Sequence, residues 1–237
     1  MTPGGDHEGL GSRTEPAPPD RLGILCHEVM DANFLTAVLY RVRGDLPVDV
    51  FYSLASLEAW AATVTPATRL MAFCSGVVVP AGVLSRLSGP SYNFHPGSPD
   101  YPGRYPTAFA IYDGASTFGA TLHEMTPRVD SGPIVGHLQF SVPPGSSYQW
   151  LAAKTHQATL HLFLEVVEGL ALSPTPFHHL GIPWGQRRCS QKALDAACRL
   201  PLDVSDHEIE RRRRSFAQVP GTGLHVMLQG RRFDLRD

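Results

Sequence analysis

The chain has 237 residues, 43% of them hydrophobic and 18% charged, with a formal net charge of −2. This bounds a globular protein with one substantial core, or a main domain and a small appendage. It lacks the basic excess of a nucleic-acid-binding domain, an apolar run able to cross a bilayer, and the basic-then-apolar order of a signal peptide.

Residues 1–20 are rich in Gly, Pro and charge, and read as a disordered leader that could be removed without loss of stability. Leu22–Cys26 predicts a strand. Asp31 is placed to cap a helix with Phe34, Leu35, Val38, Leu39 and Val42 as its apolar positions, closed by Gly44. Val48–Tyr52 predicts a second strand, Ser56 a cap for a short helix, and Leu70–Cys74 a third strand. Pro80 suits the first turn of a helix reaching Leu87. Strands alternating with helices predict a parallel sheet covered on both faces. No Gly-x-Gly-x-x-Gly follows the first strand, so a dinucleotide is not implied. The cysteines, Cys26, Cys74, Cys189 and Cys198, form no Cys-x-x-Cys pair; neither a zinc site nor a disulfide framework is expected, and a cytoplasmic setting is.

Further on, Pro106–Tyr112 predicts a short helix, Thr117–Met125 and Ile134–Val142 two more strands, and Ser146 or Ser147 the cap of a long helix ending near Leu170. Ser173–Gly185 is an irregular connection. Ser205-Asp-His-Glu208 has the form of a capping box, opening a helix that carries Arg211–Arg214. That run reads as a solvated helix, with contact to an anionic phosphate as the sharper reading. Leu224–Leu228 and Arg231–Leu235 predict a hairpin about Gln229-Gly230.

The chemistry concentrates between Ser91 and Gly136. Pro96 forces His95 out of helix space, so Ser91–His95 reads as a strand end, where Asn93 and His95, two apart, point the same way. Asp130 lies in a Pro- and Gly-flanked turn from which a side chain can reach back to them. An amide, an imidazole and a carboxylate converging at strand ends equip a site for acyl transfer. His123 shares one strand face with Thr121 and Met125.

Asn93-Phe-His95 before a Pro/Gly-rich loop, then Thr121-Leu-His123 and Asp130-Ser-Gly-Pro133, resembles the formyltransferases that use 10-formyltetrahydrofolate. The match runs clearly from about residue 70 to 170. Many members carry His-x-Ser-Leu-Leu-Pro after the Asn-x-His pair. Here Gly97 stands where that serine would be, and the loop is one residue shorter. The sequence looks more like the short formyltransferase-like proteins with a His-Pro-Gly loop, similar to sugar N-formyltransferases, than like the tRNA or purine enzymes.

The resemblance implies Asn93, His95 and Asp130 as catalytic residues, with no metal. It places 10-formyltetrahydrofolate against Ser75, Gly76, Val77, Val78 and Val79 and the turn at Arg128 and Val129. It also puts Tyr101, Gly103 and His123 on the acceptor side, although His123 could equally pack on the sheet. The implied reaction moves a formyl group to a primary amine of a small molecule, a sugar nucleotide. A formyltetrahydrofolate hydrolase or a non-catalytic folate-binding module of the same fold are the alternatives. A tRNA acceptor is not expected, because too few residues follow Trp184 for the extra domain of the tRNA enzymes.

The expected fold class is therefore α/β. An open, mostly parallel Rossmann-like sheet fills residues 21–172, and a connection with a small helix–hairpin module fills 173–237. The module is too small to stand alone. It is expected to dock on the main domain or a second copy through Ile209, Phe216, Val226, Leu228, Phe233 and Leu235, with a homodimer through the hairpin's open edge.

Overall fold

The computed structural model describes residues 17–187 and 189–235. Six strands, β1 (Arg21–Cys26), β2 (Val48–Phe51), β3 (Thr68–Phe73), β4 (Tyr92–His95), β5 (Thr117–Glu124) and β6 (Ile134–Ser141), form one sheet in the order β2-β1-β3-β4-β5-β6. The pairings among β1 to β4 are parallel; β5 runs antiparallel to β4, and β6 to β5. The fold is thus mixed α/β with a mostly parallel, Rossmann-like sheet.

Helices α1 (Val29–Val42) and α5 (Tyr148–Leu172) cover one face, where Leu35, Leu39, Phe163 and Leu170 pack on Leu22, Ile24, Phe73 and Phe94. Short helices α2 (Leu54–Ala61) and α3 (Ala81–Leu84) cover the other with Leu57, Trp60 and Val83. Each fully buried Leu or Phe contributes about 1.5–3 kcal/mol, so these layers hold the sheet that carries the site. Arg69 ties the layers together at one end, donating from Nη1 to Gly169 O (3.0 Å) and Leu170 O (2.7 Å) and from Nη2 to Ser173 O (3.1 Å). It satisfies Leu170 O, which the end of α5 leaves without a backbone donor, and shares Gly169 O with the capping Ser173 amide.

Several expectations change. Asp31 does not cap α1; it lies in the first turn and its Oδ1 meets His156 Nε2 at 3.0 Å. Phe34 is 41% exposed, because the inner stripe runs through Ala32, Leu35 and Leu39. Ser53, not Ser56, caps α2. The expected leader lies mostly outside the described residues, but its last two positions are bound: Pro19 O accepts from Arg43 Nη1 at 2.6 Å, and Asp20 Oδ2 from Thr65 Oγ1 at 2.5 Å.

The C-terminal segment docks on α4 (Pro106–Asp113). Phe216, fully buried near the end of α7 (Asp206–Phe216), meets Phe109 and Tyr112 with ring centroids 5.5 and 5.2 Å apart. Two of the expected solvated arginines take part in the docking. Arg211 stacks 4.0 Å over Tyr112 and donates to its carbonyl, while Arg212 donates to Glu208, Ala197 O and Arg199 O. Helix α6 (Gln191–Cys198), capped by Ser190, adds Leu194 and Cys198 to the same cluster. The hairpin of β8 (His225–Leu228) and β9 (Arg231–Asp234) turns on Gln229 and Gly230, both at positive φ as a two-residue turn requires. It pairs with the short β7 (Arg199–Leu200), leaving β9 at the edge. Leu228, Phe233 and Leu235, expected to be buried, are 42–50% exposed.

Candidate active site

Antiparallel pairing sets Asn93 directly opposite His123, and His95 opposite Thr121. Side chains at opposed positions share a face, so the two imidazoles and the amide form one layer at the end of β4. The turn after β5 brings Asp130 back over it, at φ 41. Asp tolerates this left-handed conformation better than most residues. Thr126 and Ser131 hydroxyls both donate to Arg128 O at 2.8 Å and fix the turn.

Asp130 is the meeting point. Its Oδ2 accepts from the Gly103 amide at 2.7 Å and lies 3.4 Å from His95 Nδ1. Its Oδ1 lies 3.1 Å from His123 Nε2 and 3.4 Å from Asn93 Nδ2, and Asn93 Nδ2 lies 3.0 Å from His123 Nε2. On the far side of each ring the other nitrogen lies within hydrogen-bond distance of a backbone carbonyl: His95 Nε2 3.1 Å from Tyr101 O, His123 Nδ1 2.8 Å from Glu124 O.

Burial works against ionising Asp130. The neighbouring His95, the His123 hydrogen bond and the Gly103 amide outweigh it and hold the carboxyl at about 2. His95 moves the other way from an ordinary histidine: burial lowers its pKa, and the Asp130 charge only partly restores it. The site therefore pairs an ionised carboxylate with a neutral imidazole at neutral pH. His95 has an oxygen within reach of each nitrogen, Asp130 Oδ2 beside Nδ1 and Tyr101 O beside Nε2.

Asn93, His95, His123, Gly103 and Asp130 line one side of a cavity of about 690 Å³, in the range of small-molecule sites. Ser75, Gly76, Val77, Val78 and Val79, with Arg128 and Val129, line it as well. An apolar strip of valines beside polar groups suits a flat heteroaromatic ring such as a pterin. Arg104, Tyr105, Ser190 and Gln191 complete the wall toward the C-terminal segment. Cys189 also lines it, with burial pushing its thiol up to about 12. Among the described residues no cluster of three His, Cys, Asp or Glu side chains is suited to a metal ion.

Two residues expected on the acceptor side have other duties. Tyr101 does not line the cavity: its ring is buried against Phe118 at 5.6 Å, and only its carbonyl reaches the site. Gly103 lines the cavity, but its amide is committed to Asp130. The gap at Gly97 also has a local reason, since a Cβ there would lie 2.5 Å from His95 Nε2 and 2.7 Å from Pro106 Cβ. A serine at this position has no room beside His95. The sequence reading missed α6, whose start supplies Ser190 and Gln191, and assigned no role to Trp184, which packs against both imidazoles.

Residues 58–167, which hold β4, β5 and the Asp130 turn, match the family model described as formyl transferase. This stretch is similar to formyl transferase domains. The fold around the domain is similar to that of a sugar N-formyltransferase from Shewanella, at 15% identity over 92% of this chain and 96% of the other, with a TM-score of 0.73. It is similar to a 4-N formyltransferase from Francisella tularensis, at 18% identity over 92% and 97%, with a TM-score of 0.68. It is also similar to an N-formyltransferase from Helicobacter canadensis in complex with folinic acid and dTDP-3-aminofucose, at 14% identity over 82% and 80%, with a TM-score of 0.61. The family match supports formyl transfer as the class of chemistry. No described helix is long and apolar enough to cross a membrane.

Proposed function

We propose that this protein is a cytoplasmic enzyme that moves the formyl group of 10-formyltetrahydrofolate to the primary amine of a nucleotide-linked amino sugar. The observation that carries the reading is the convergence of Asn93, His95 and Asp130 on one side of a cavity with an apolar strip beside it. The folinic acid and amino-sugar nucleotide in the Helicobacter canadensis relative support both substrate classes. The folate supplies the formyl carbon, seated along Ser75–Val79 and the Arg128–Val129 turn.

Attack by the amine forms a carbon–nitrogen bond and places negative charge on the formyl oxygen. Asn93 donates to that oxygen, with His95 as a second donor. Removing one such donor typically costs on the order of 2.7–4 kcal/mol of transition-state stabilisation. Asp130, ionised and aimed at the cavity, takes the proton the amine must lose, directly or through a water. His95, facing Asp130 through Nδ1, relays that proton to the departing folate nitrogen as the old carbon–nitrogen bond breaks, so carboxylate and imidazole return to their starting states. His123 fixes the orientation of the Asp130 carboxylate.

The open edge of β9 and the exposed apolar residues beside it suit a second copy of the chain, and we include a homodimer in the proposal. The catalytic reading is tested by incubating the protein with 10-formyltetrahydrofolate and dTDP-linked 3-amino and 4-amino sugars, following folate absorbance and product mass. A formylated sugar nucleotide is expected. Formate release independent of amine would convert the reading to a hydrolase, and folate binding without turnover would refute it.

A further inference from the structure

The segment between α5 and α6 contributes no side chain to the proposed reaction, yet it crosses directly behind the catalytic layer. Trp184 stands edge-on to His123 with ring centroids 5.0 Å apart and planes at 87°, and to His95 at 5.9 Å and 71°. Its indole N–H donates to Gly132 O at 2.8 Å, in the turn that carries Asp130. One side chain therefore touches both imidazoles and anchors the loop of the carboxylate they share. It does not line the cavity.

The backbone around it is stapled to both catalytic loops. Leu180 N–H donates to Ile134 O at 2.8 Å, Gly185 N–H to Pro99 O at 2.9 Å, and Cys189 N–H to Pro102 O at 3.0 Å. The approach leaves no room for side chains. A Cβ at Gly185 would lie 2.6 Å from Asp100 Cα, and one at Gly132 would lie 2.0 Å from Glu124 O. Trp184 is thus held at both ends by backbone that cannot move away without opening the two loops.

We propose that Trp184 is a positioning residue: its ring fixes the planes of His95 and His123, and its indole N–H fixes the turn, so that both imidazoles face Asp130. The proposal rests on the catalytic reading above for its kinetic consequences and on geometry alone for its structural ones. An edge contact of this kind favours one ring orientation over others. A small misplacement of catalytic groups suffices to slow a reaction on the order of 10²-fold.

The test compares Trp184→Leu with Trp184→Phe in the full chain. The expected result is a loss of kcat on the order of 10²-fold in the leucine variant, with KM for 10-formyltetrahydrofolate and affinity for folinic acid unchanged. Phenylalanine, which keeps the ring edge, should restore much of that loss. In parallel, long-range ¹⁵N–¹H spectra of histidine-labelled protein report each ring's tautomer without any substrate, His95 and His123 being assigned from His95→Gln and His123→Gln. In the leucine variant both rings should lose their single fixed tautomer, and in the phenylalanine variant they should keep it. Unchanged His95 and His123 signals in Trp184→Leu would overturn the proposal, as would a kcat that falls equally in both variants in step with melting temperature. A wild-type protein that turns over no amine would sink the catalytic reading, while the spectra would still decide the positioning. If Trp184→Leu does not fold, the loss of the Gly132 anchor in Trp184→Phe decides it, through mobility of the Asp130 turn in amide exchange.

Discussion

Asp130 is 4% exposed, and three side chains and one backbone amide crowd its two oxygens. Replacing it by Asn keeps the shape and removes the charge. Asp130→Asn is expected to lower kcat by about 10²–10⁴-fold while circular dichroism keeps the native signature; a folded, active variant would end the proposed role. The depressed carboxyl also makes a stability prediction. A group ionised more easily in the native than in the unfolded state stabilises above its unfolded pKa and loses that contribution below it. For Asp130 the loss should run from about pH 4 down to about 2. His95 has the same direction for a different reason: being harder to protonate when folded, it favours the unfolded state as pH falls below the ordinary histidine value of 6.5. The acid limb of kcat/KM should accordingly lie below pH 6.5, and a limb above that value would contradict a neutral His95. Gly97→Ser is expected to lower activity more than stability, because the added atoms meet His95 before anything else. Asn93 and His95 were legible in the sequence because a strand's period of two puts them on one face. The destination of the Tyr101 ring was not, since Ser98-Pro-Asp-Tyr-Pro-Gly103 has no period to say which way a side chain turns.

Elements with a long apolar pattern could be read, as could short helices marked by a cap or a proline such as α2 and α4, but α6 could not. Helix α5 announced itself through many turns of inner residues, whereas α6 buries only Leu194 and Cys198, one turn apart, and offers too little to distinguish it from a loop. Its Ser190 cap was the available signal. The reversal of β5 was equally hidden, because the β4–β5 connection contains a helix just as a parallel crossover does. The docking of α7, by contrast, was expected from its size and is now specific enough to test. Phe216→Ala should destabilise the protein by about 3–5 kcal/mol in urea unfolding. Leu228→Ala in the exposed part of the hairpin should cost well under that.

Across the whole molecule the C-terminal segment closes the apolar side of α4 and β5, where Phe109, Ile111 and Phe118 join Leu194, Phe216 and Leu224 in one cluster. Truncation after Gly185 is expected to lower the melting temperature sharply and abolish turnover; unchanged stability and activity would show that the docking is dispensable. Light scattering on the intact chain tests the proposed homodimer, and a monomer at working concentrations would refute it. The segment through Trp184 also bears on time. Its contacts join Trp184 to Gly132, Gly185 to Pro99 and Cys189 to Pro102, spans of 50 to 90 positions whose closure is slow relative to local structure. Strands and helices can therefore assemble before the two imidazoles and the carboxylate acquire their mutual orientation. In a refolding experiment, far-ultraviolet ellipticity should recover first and catalysis afterwards, the interval being the lifetime of a molecule that already has its architecture and cannot yet react.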